Sequence, residues 1–201
     1  MNEKFFDLKS EKQDRMINAA LHLFATNDYK HASTDDIIKE AGISKGLLFH
    51  YFGSKQGLYV FLVDYSVRYL LFEYERSIGK EKDYFSYHEK LESAKRTVLG
   101  NYPYMYIFIN RAMLEQNTEI RGACKEGLKK YYEALEEYKE NLEIPKLKEG
   151  IEIGKLEQII QFIVDGLTGE YMEAGKSDAD KLYRDIKEYL DLIKKMSTGK
   201  N

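Results

Sequence analysis

One cysteine, two prolines and no tryptophan stand in a chain of 201 residues. Cys124 alone cannot build an internal disulfide framework, and its solitude fits a reducing compartment. So few prolines among long Lys/Glu-rich runs leave an all-α architecture as the expected fold class. No apolar run is long enough to span a bilayer and the N-terminus carries no signal peptide, so a cytoplasmic chain with no membrane partner is expected. Glycine loops that cradle phosphate and serine elbows are missing. His22, His31, His50 and His88 are scattered, and Cys124 has no histidine in local register. His88 and Glu92, four apart, make a weak metal-like pair, and surface solvation explains all of these histidines, Cys124 and Glu92 better. An enzyme, a metal and a cofactor are therefore not expected.

Global basicity is absent too, the formal net charge being −3. Residues 1–55 hold eight Lys/Arg against eight Asp/Glu, so attraction to a polyanion has to come from local segregation of charge. One segregated window exists. From Ala41 to Val63 there is no acidic residue, while Lys45, His50 and Lys55 all fall in or beside it.

What is there centres on residues 33–55. Ser33 and Thr34 are N-cap types before Asp35, Asp36, Ile37 and Ile38, and the two acids suit the positive end of a helix dipole. Gly42 ends this helix with a left-handed residue, and Ser44 caps the next. Two short helices around a glycine turn describe a helix-turn-helix. On the second helix Leu48 and Phe52 share one face and pack on Ile37, Ile38, Ala41 and Ile43. Lys45, Phe49, Gly46 and His50 are then left pointing outward, with Leu47 and Tyr51 flanking. Donors and aromatics on a carboxylate-free face suit a phosphate backbone and a groove. A small helical hairpin with merely solvated lysines is the plainer reading of the same residues.

The run Thr34…Ile37…Ala41-Gly42-Ile43-Ser44-Lys45-Gly46-Leu47-Leu48-Phe49-His50-Tyr51-Phe52…Ser54-Lys55…Leu58 resembles the DNA-binding head of the TetR family of bacterial repressors. Phe24 and Tyr29 stand where that family has an aromatic helix end and a glycine-tyrosine turn. The resemblance covers about residues 10–62; beyond it only helical layout and chain length are similar. It implies that Thr34, Ser44, Lys45, Tyr51 and Lys55 position phosphates together with the backbone nitrogen of Gly46. Leu47, Phe49 and His50 are implied to face the groove. Two positions depart from the family pattern. Asn27-Asp28 replaces a small residue and glycine, a turn that asparagine keeps by tolerating left-handed backbone. Phe49 replaces the commoner tyrosine and loses a hydroxyl hydrogen bond.

Along the chain, a short polar arm (residues 1–9) carries Phe5, Phe6 and Leu8. Ser10 and Gln13 have capping-box spacing at the start of the first helix, whose stripe is Met16, Ile17, Ala20, Leu21 and Phe24. The expected division is a DNA-binding head at 1–53 and a helical effector-binding and dimerisation body at 54–201, about nine helices in all. Ser54 caps a linking helix, 54–79, whose Leu58–Val63 run is apolar all round. Further helices are expected near 84–100, 104–115, 118–141, 156–174 and 178–195.

The body is rich in rings, and the resemblance implies a ligand cavity. Tyr65, Tyr69, Phe72, Tyr102, Met105, Tyr106, Phe108 and Phe162 are its candidate lining, suited to a flat or lipophilic molecule; the competing reading is that these rings fill a core. Ile163, Gly166, Leu167, Gly169, Ile186 and Leu190 are the candidate dimer interface on the last two helices, with burial inside one monomer as the alternative. A two-turn recognition helix reads few base pairs, so two heads about 34–36 Å apart are needed for a palindromic operator.

The expectation is thus a homodimeric regulator of double-stranded DNA, a repressor released by a small lipophilic or aromatic effector. The resemblance implies that the effector shifts the linking helix through a coupling of about 1–3 kcal/mol, and the all-round apolar run of that helix is the one sequence observation behind it. A helical small-molecule-binding or protein-interaction module without site-specific DNA binding is the alternative, supported by Phe49 and the neutral head.

Overall fold

The computed structural model of the chain describes residues 3–173 and 178–199. Among them the regular elements are a 3-10 turn at Glu3–Asp7 and nine α-helices. The helices are α1 Ser10–Thr26, α2 Thr34–Ala41, α3 Lys45–Phe52, α4 Lys55–Ile78, α5 Tyr84–Asn101, α6 Met105–Met113, α7 Thr118–Glu140, α8 Ile153–Glu173 and α9 Ala179–Ser197. The all-α expectation holds. α8 starts three residues earlier than its periodicity suggests, and the expected end at residue 174 lies outside the described residues.

Local chemistry sets most of these boundaries. The Ser33 hydroxyl accepts from the Asp36 amide, Ser44 from Leu47 and Ser54 from Gly57, so α2, α3 and α4 each open on a serine. Gly42 is left-handed at φ 63°, and the Ile43 amide reaches the Ile38 carbonyl at 3.1 Å, the bond pattern of a Schellman stop.

Two local expectations fail. Ser10 does not cap α1. The Gln13 amide reaches past it and donates to the Phe6 and Leu8 carbonyls at 3.1 and 2.7 Å, because the arm folds back over the helix start. Asn27 is extended rather than left-handed (φ −124°); its side-chain amide caps the Leu23 carbonyl, and the Asp28 carboxylate accepts from the His31 amide at 2.8 Å. Side-chain hydrogen bonds replace the conformational freedom that glycine supplies elsewhere.

The chain divides into two compact units, Met1–Leu71 with Asn101–Ala134 and Phe72–Gly100 with Leu135–Asn201. In the first, the whole expected stripe of α1 is buried, and Phe24 meets Tyr59 of α4 at 4.9 Å and Phe108 of α6 at 6.2 Å. A second, polar stripe of α1 at four-residue spacing meets the corner between α5 and α6. The Tyr102 hydroxyl donates to Asp14 at 2.9 Å, the Asn18 amide points at the Asn101 carbonyl at 3.5 Å, and the His22 ring lies 4.5 Å from that of Tyr104. With its proton given to Asp14, Tyr102 accepts from Tyr65 at 2.7 Å. Burial pushes both phenols up, so the relay stays protonated.

The second unit has its own core. Tyr84 and Phe85 of α5, Leu156, Ile160 and Val164 of α8, and Leu182, Ile186 and Leu190 of α9 pack together. Glu157 lies beside this core and accepts from the Tyr84 hydroxyl at 2.6 Å and from His88 at 3.1 Å, with the Lys139 amine also 3.1 Å away. Surface solvation is therefore the wrong account of His88, Glu92 and Cys124. All three are buried, His88 on Glu157, Glu92 in a 2.6 Å ion pair with Lys95, and Cys124 in the first unit with its thiol pushed up to about 12 by burial.

Candidate nucleic-acid interface

α2 and α3 bury little of themselves. Ile37 and Ala41 of α2 and Leu48 of α3 are fully covered, whereas Phe52 stays half-buried. Burial of Leu48 fixes the rotation of α3 and turns its opposite side outward. Lys45, Gly46 and His50 are exposed; Leu47, Phe49 and Tyr51 are half-buried. A Cβ added to Gly46 would meet nothing within 4 Å, so the backbone of this first turn lies open to a ligand. Its N–H groups add the positive end of the helix dipole. α3 contains no acidic side chain.

The cations on this face already have modest partners. Lys45, with 64% of its side chain exposed, forms a 3.1 Å ion pair with Asp35. An exposed pair of this kind contributes about 1 kcal/mol or less, so a phosphate can exchange for the carboxylate. Lys55 differs. Its amine sits 4.7 Å above the Tyr29 ring and donates to the Lys30 carbonyl at 3.3 Å, and burial lowers its pKa. It is anchored on the turn between α1 and α2, which places a fixed charge beside the helix-turn-helix. Thr34 begins α2 and is half-buried, and the exposed Ser44 hydroxyl is engaged as the α3 cap.

The candidate pocket residues separate. Tyr65 and Tyr69 stack on each other and meet the Tyr102 ring edge-on at 5.8 and 5.0 Å, while Met105, Tyr106 and Phe108 are buried in the first unit, Phe108 against Phe24 and Tyr59. Phe72 and Phe162 belong to the second unit and are 61% and 74% exposed. The candidate dimer residues separate as well. Ile186 and Leu190 are core of the second unit, Ile163 and Leu167 are half-buried against it, and Gly166 and Gly169 are exposed. The exposed apolar stripes are Ile159 and Phe162 on α8, continued by Gly166 and Gly169, and Tyr189, Leu192 and Met196 on α9.

Two features of the interface carry no local sequence signal of the kind used above. Phe5 of the arm is wholly buried against α3 and α4. A Cβ on Gly57 would lie 2.0 Å from the Phe52 carbonyl oxygen, so the corner from α3 into α4 admits only glycine there. A glycine in the first turn of an otherwise apolar helix is the one clue the sequence offers. Among the described residues no helix is long and apolar enough to cross a membrane, and no three His, Cys, Asp or Glu side chains are grouped to hold a metal ion.

Residues 16–60 match the family model of bacterial regulatory proteins, tetR family. The chain is 27% identical over 161 residues to the fatty acid metabolism regulator protein of Bacillus subtilis, covering 78% of this chain and 81% of that protein. Its fold is shared with a TetR family transcriptional regulator from Chloroflexus aurantiacus, at a TM-score of 0.63 with 20% identity over 98% of each chain. It is also shared with the transcriptional regulator FadR from Bacillus subtilis in complex with stearoyl-CoA, at a TM-score of 0.57 and 21% identity over 88% of this chain and 96% of that one.

Proposed function

We propose, from a head that matches the tetR family model and a fold shared with regulators of that family, that the chain is a ligand-responsive transcriptional repressor that binds a palindromic operator as a homodimer. One observation carries the DNA-binding part. Burial of Leu48 turns the acid-free helix α3 so that Lys45 and His50 are exposed beside the open first turn at Gly46, with Asp35 as the exchangeable partner of Lys45. Backbone amides and Lys45 fit phosphates, and Leu47 and Phe49 fit thymine methyls on the groove floor.

The partner that completes the operator-bound state is a second copy of the chain. The α8 and α9 stripes around Phe162 and Leu192 expose more apolar surface than scattered residues account for, and Gly166 and Gly169 allow close approach of a facing helix. The effector is a lipophilic molecule of the long-chain acyl-thioester class. The similarity to a fatty acid metabolism regulator and to FadR in its stearoyl-CoA complex supports that class. α4, which opens directly after the recognition helix and continues into the second unit, is the covalent route from effector to head.

Selection of duplexes from a random library by the 201-residue chain tests the reading. A half-site repeated as a palindrome is expected, with affinity falling as acyl-CoA is added. Lys45→Ala should weaken binding to every sequence and lower the salt slope by about one unit. A protein that selects no sequence has lost this reading and is the non-DNA module instead.

A further inference from the structure

Recognition helices need an orientation as well as a surface, and α3 is poorly supplied with means to hold one. It is eight residues long, and Leu48 is its one fully buried side chain. Its first turn is fixed by Gly42 and the Ser44 cap, but its last turn ends at Gly53 with φ 72° and opens onto the corner with α4.

The arm closes that corner. Phe5 has no exposed surface, and its ring lies 5.3 Å from Phe52 of α3 and 5.2 Å from Phe61 of α4, which are themselves 4.9 Å apart. Three rings from three elements form a closed triangle, so α3 cannot tilt against α4 without opening one side. Phe5 also meets Tyr51 edge-on at 5.7 Å, and Tyr51 meets His50 at 5.0 Å, so the contact continues onto the outward face. The arm is itself tied down by the Gln13 amide on the Phe6 and Leu8 carbonyls.

We propose that Phe5 is a positioning residue for sequence reading, the arm acting as a wedge that sets the tilt of the recognition helix. This rests on the DNA-binding reading above. Base edges are read over tenths of an ångström, whereas phosphate attraction is tolerant of tilt. Loss of the wedge should therefore reduce discrimination and spare general affinity.

The test uses the 201-residue chain, the duplex it selects, and a scrambled duplex, compared by fluorescence anisotropy at fixed salt. Phe5→Ala should lose about tenfold in affinity for the selected duplex. Binding to the scrambled one and the salt slope should stay as in the wild type. Phe5→Leu, which restores most of the volume, should recover most of the discrimination. Gln13→Ala, which unties the arm and so loosens Phe5 without changing any ring, should move the same ratio in the same direction and decides the matter if Phe5→Ala does not fold. A discrimination ratio unchanged in Gln13→Ala and folded Phe5→Ala, or an equal loss on both duplexes, overturns the wedge. A wild-type protein that selects no sequence overturns the underlying DNA reading instead, a result distinct from either.

Discussion

Phe162→Ala is the sharpest probe of assembly. The side chain is 74% exposed at the centre of a stripe running from Ile159 to Gly169 on α8, so it adds nothing to the core of its own unit. Full burial of a phenylalanine side chain stabilises by roughly 1.5–3 kcal/mol, and three quarters of that is about 1–2 kcal/mol. A twofold axis counts every interface residue twice, giving about 2–4 kcal/mol, or roughly a thirty- to thousandfold weaker dimer. Sedimentation equilibrium over a concentration series measures this directly. Phe162→Glu, which adds desolvation of two charges, should give monomer at all accessible concentrations. Thermal unfolding of the monomeric variant should stay cooperative, because in the proposed dimer the lost contacts lie between copies. Two results would refute the reasoning: a dimer in Phe162→Glu as tight as the wild type, or a wild-type protein that is itself monomeric.

Gly57→Ala places a methyl 2.0 Å from the Phe52 carbonyl, where backbone rather than a flexible side chain must give way. A destabilisation of about 2–3 kcal/mol in urea melts is expected, against almost none for Gly46→Ala, whose Cβ meets open space in this structure. Acid stability should depend on Glu157. Burial pushes its carboxyl up, but hydrogen bonds from His88 and Tyr84 and the charge of Lys139 outweigh that and hold it at about 2. A lowered carboxylate pKa stabilises the fold above the unfolded value near 4.3, and that contribution is lost as the pH falls from there towards 2. Glu157→Gln should flatten this loss by about 2 kcal/mol, read from urea midpoints at successive pH values.

Caps and stripes were legible because they are local. Ser33, Ser44, Gly42 and Ser54 act within four residues of themselves, and the α1 stripe from Met16 to Phe24 obeys one period. Features that join distant segments were not. His88 is buried because Glu157 waits 69 residues further on, and no pattern near His88 announces that partner. α8 shows why the candidate interface mixed core with surface. Leu156, Ile160 and Val164 face inward while Ile159 and Phe162 face outward, so two apolar stripes interleave and the sequence shows a helix apolar on nearly every side. Which stripe is inner depends on where α9 lies, and one helix's own residues do not encode that. Phe5 was obscure for a related reason: a short arm has no period, so its burial depends wholly on the ring pair it meets.

A head cut at Gly53 would separate rings that hold one another. Phe24 is 1% exposed and Phe5 has no exposed surface, yet Tyr59, Phe61 and Phe108, which cover them, all lie beyond that cut. The polar stripe Asp14, Asn18 and His22 would also lose the α5–α6 corner. Uncovering half of two phenylalanine side chains costs about 1.5–3 kcal/mol together. Chains near fifty residues fold with little to spare, so a loss of that size removes most of their stability. Residues 1–53 alone should therefore show weak helicity and no cooperative melt by circular dichroism, whereas the full chain melts as a folded protein. A sharp melt of the isolated segment would mean that α1–α3 suffice as a domain. If the segment does not fold, the reading face is stabilised by α4 and α6, and any ligand that moves those two helices changes DNA affinity through the same contacts.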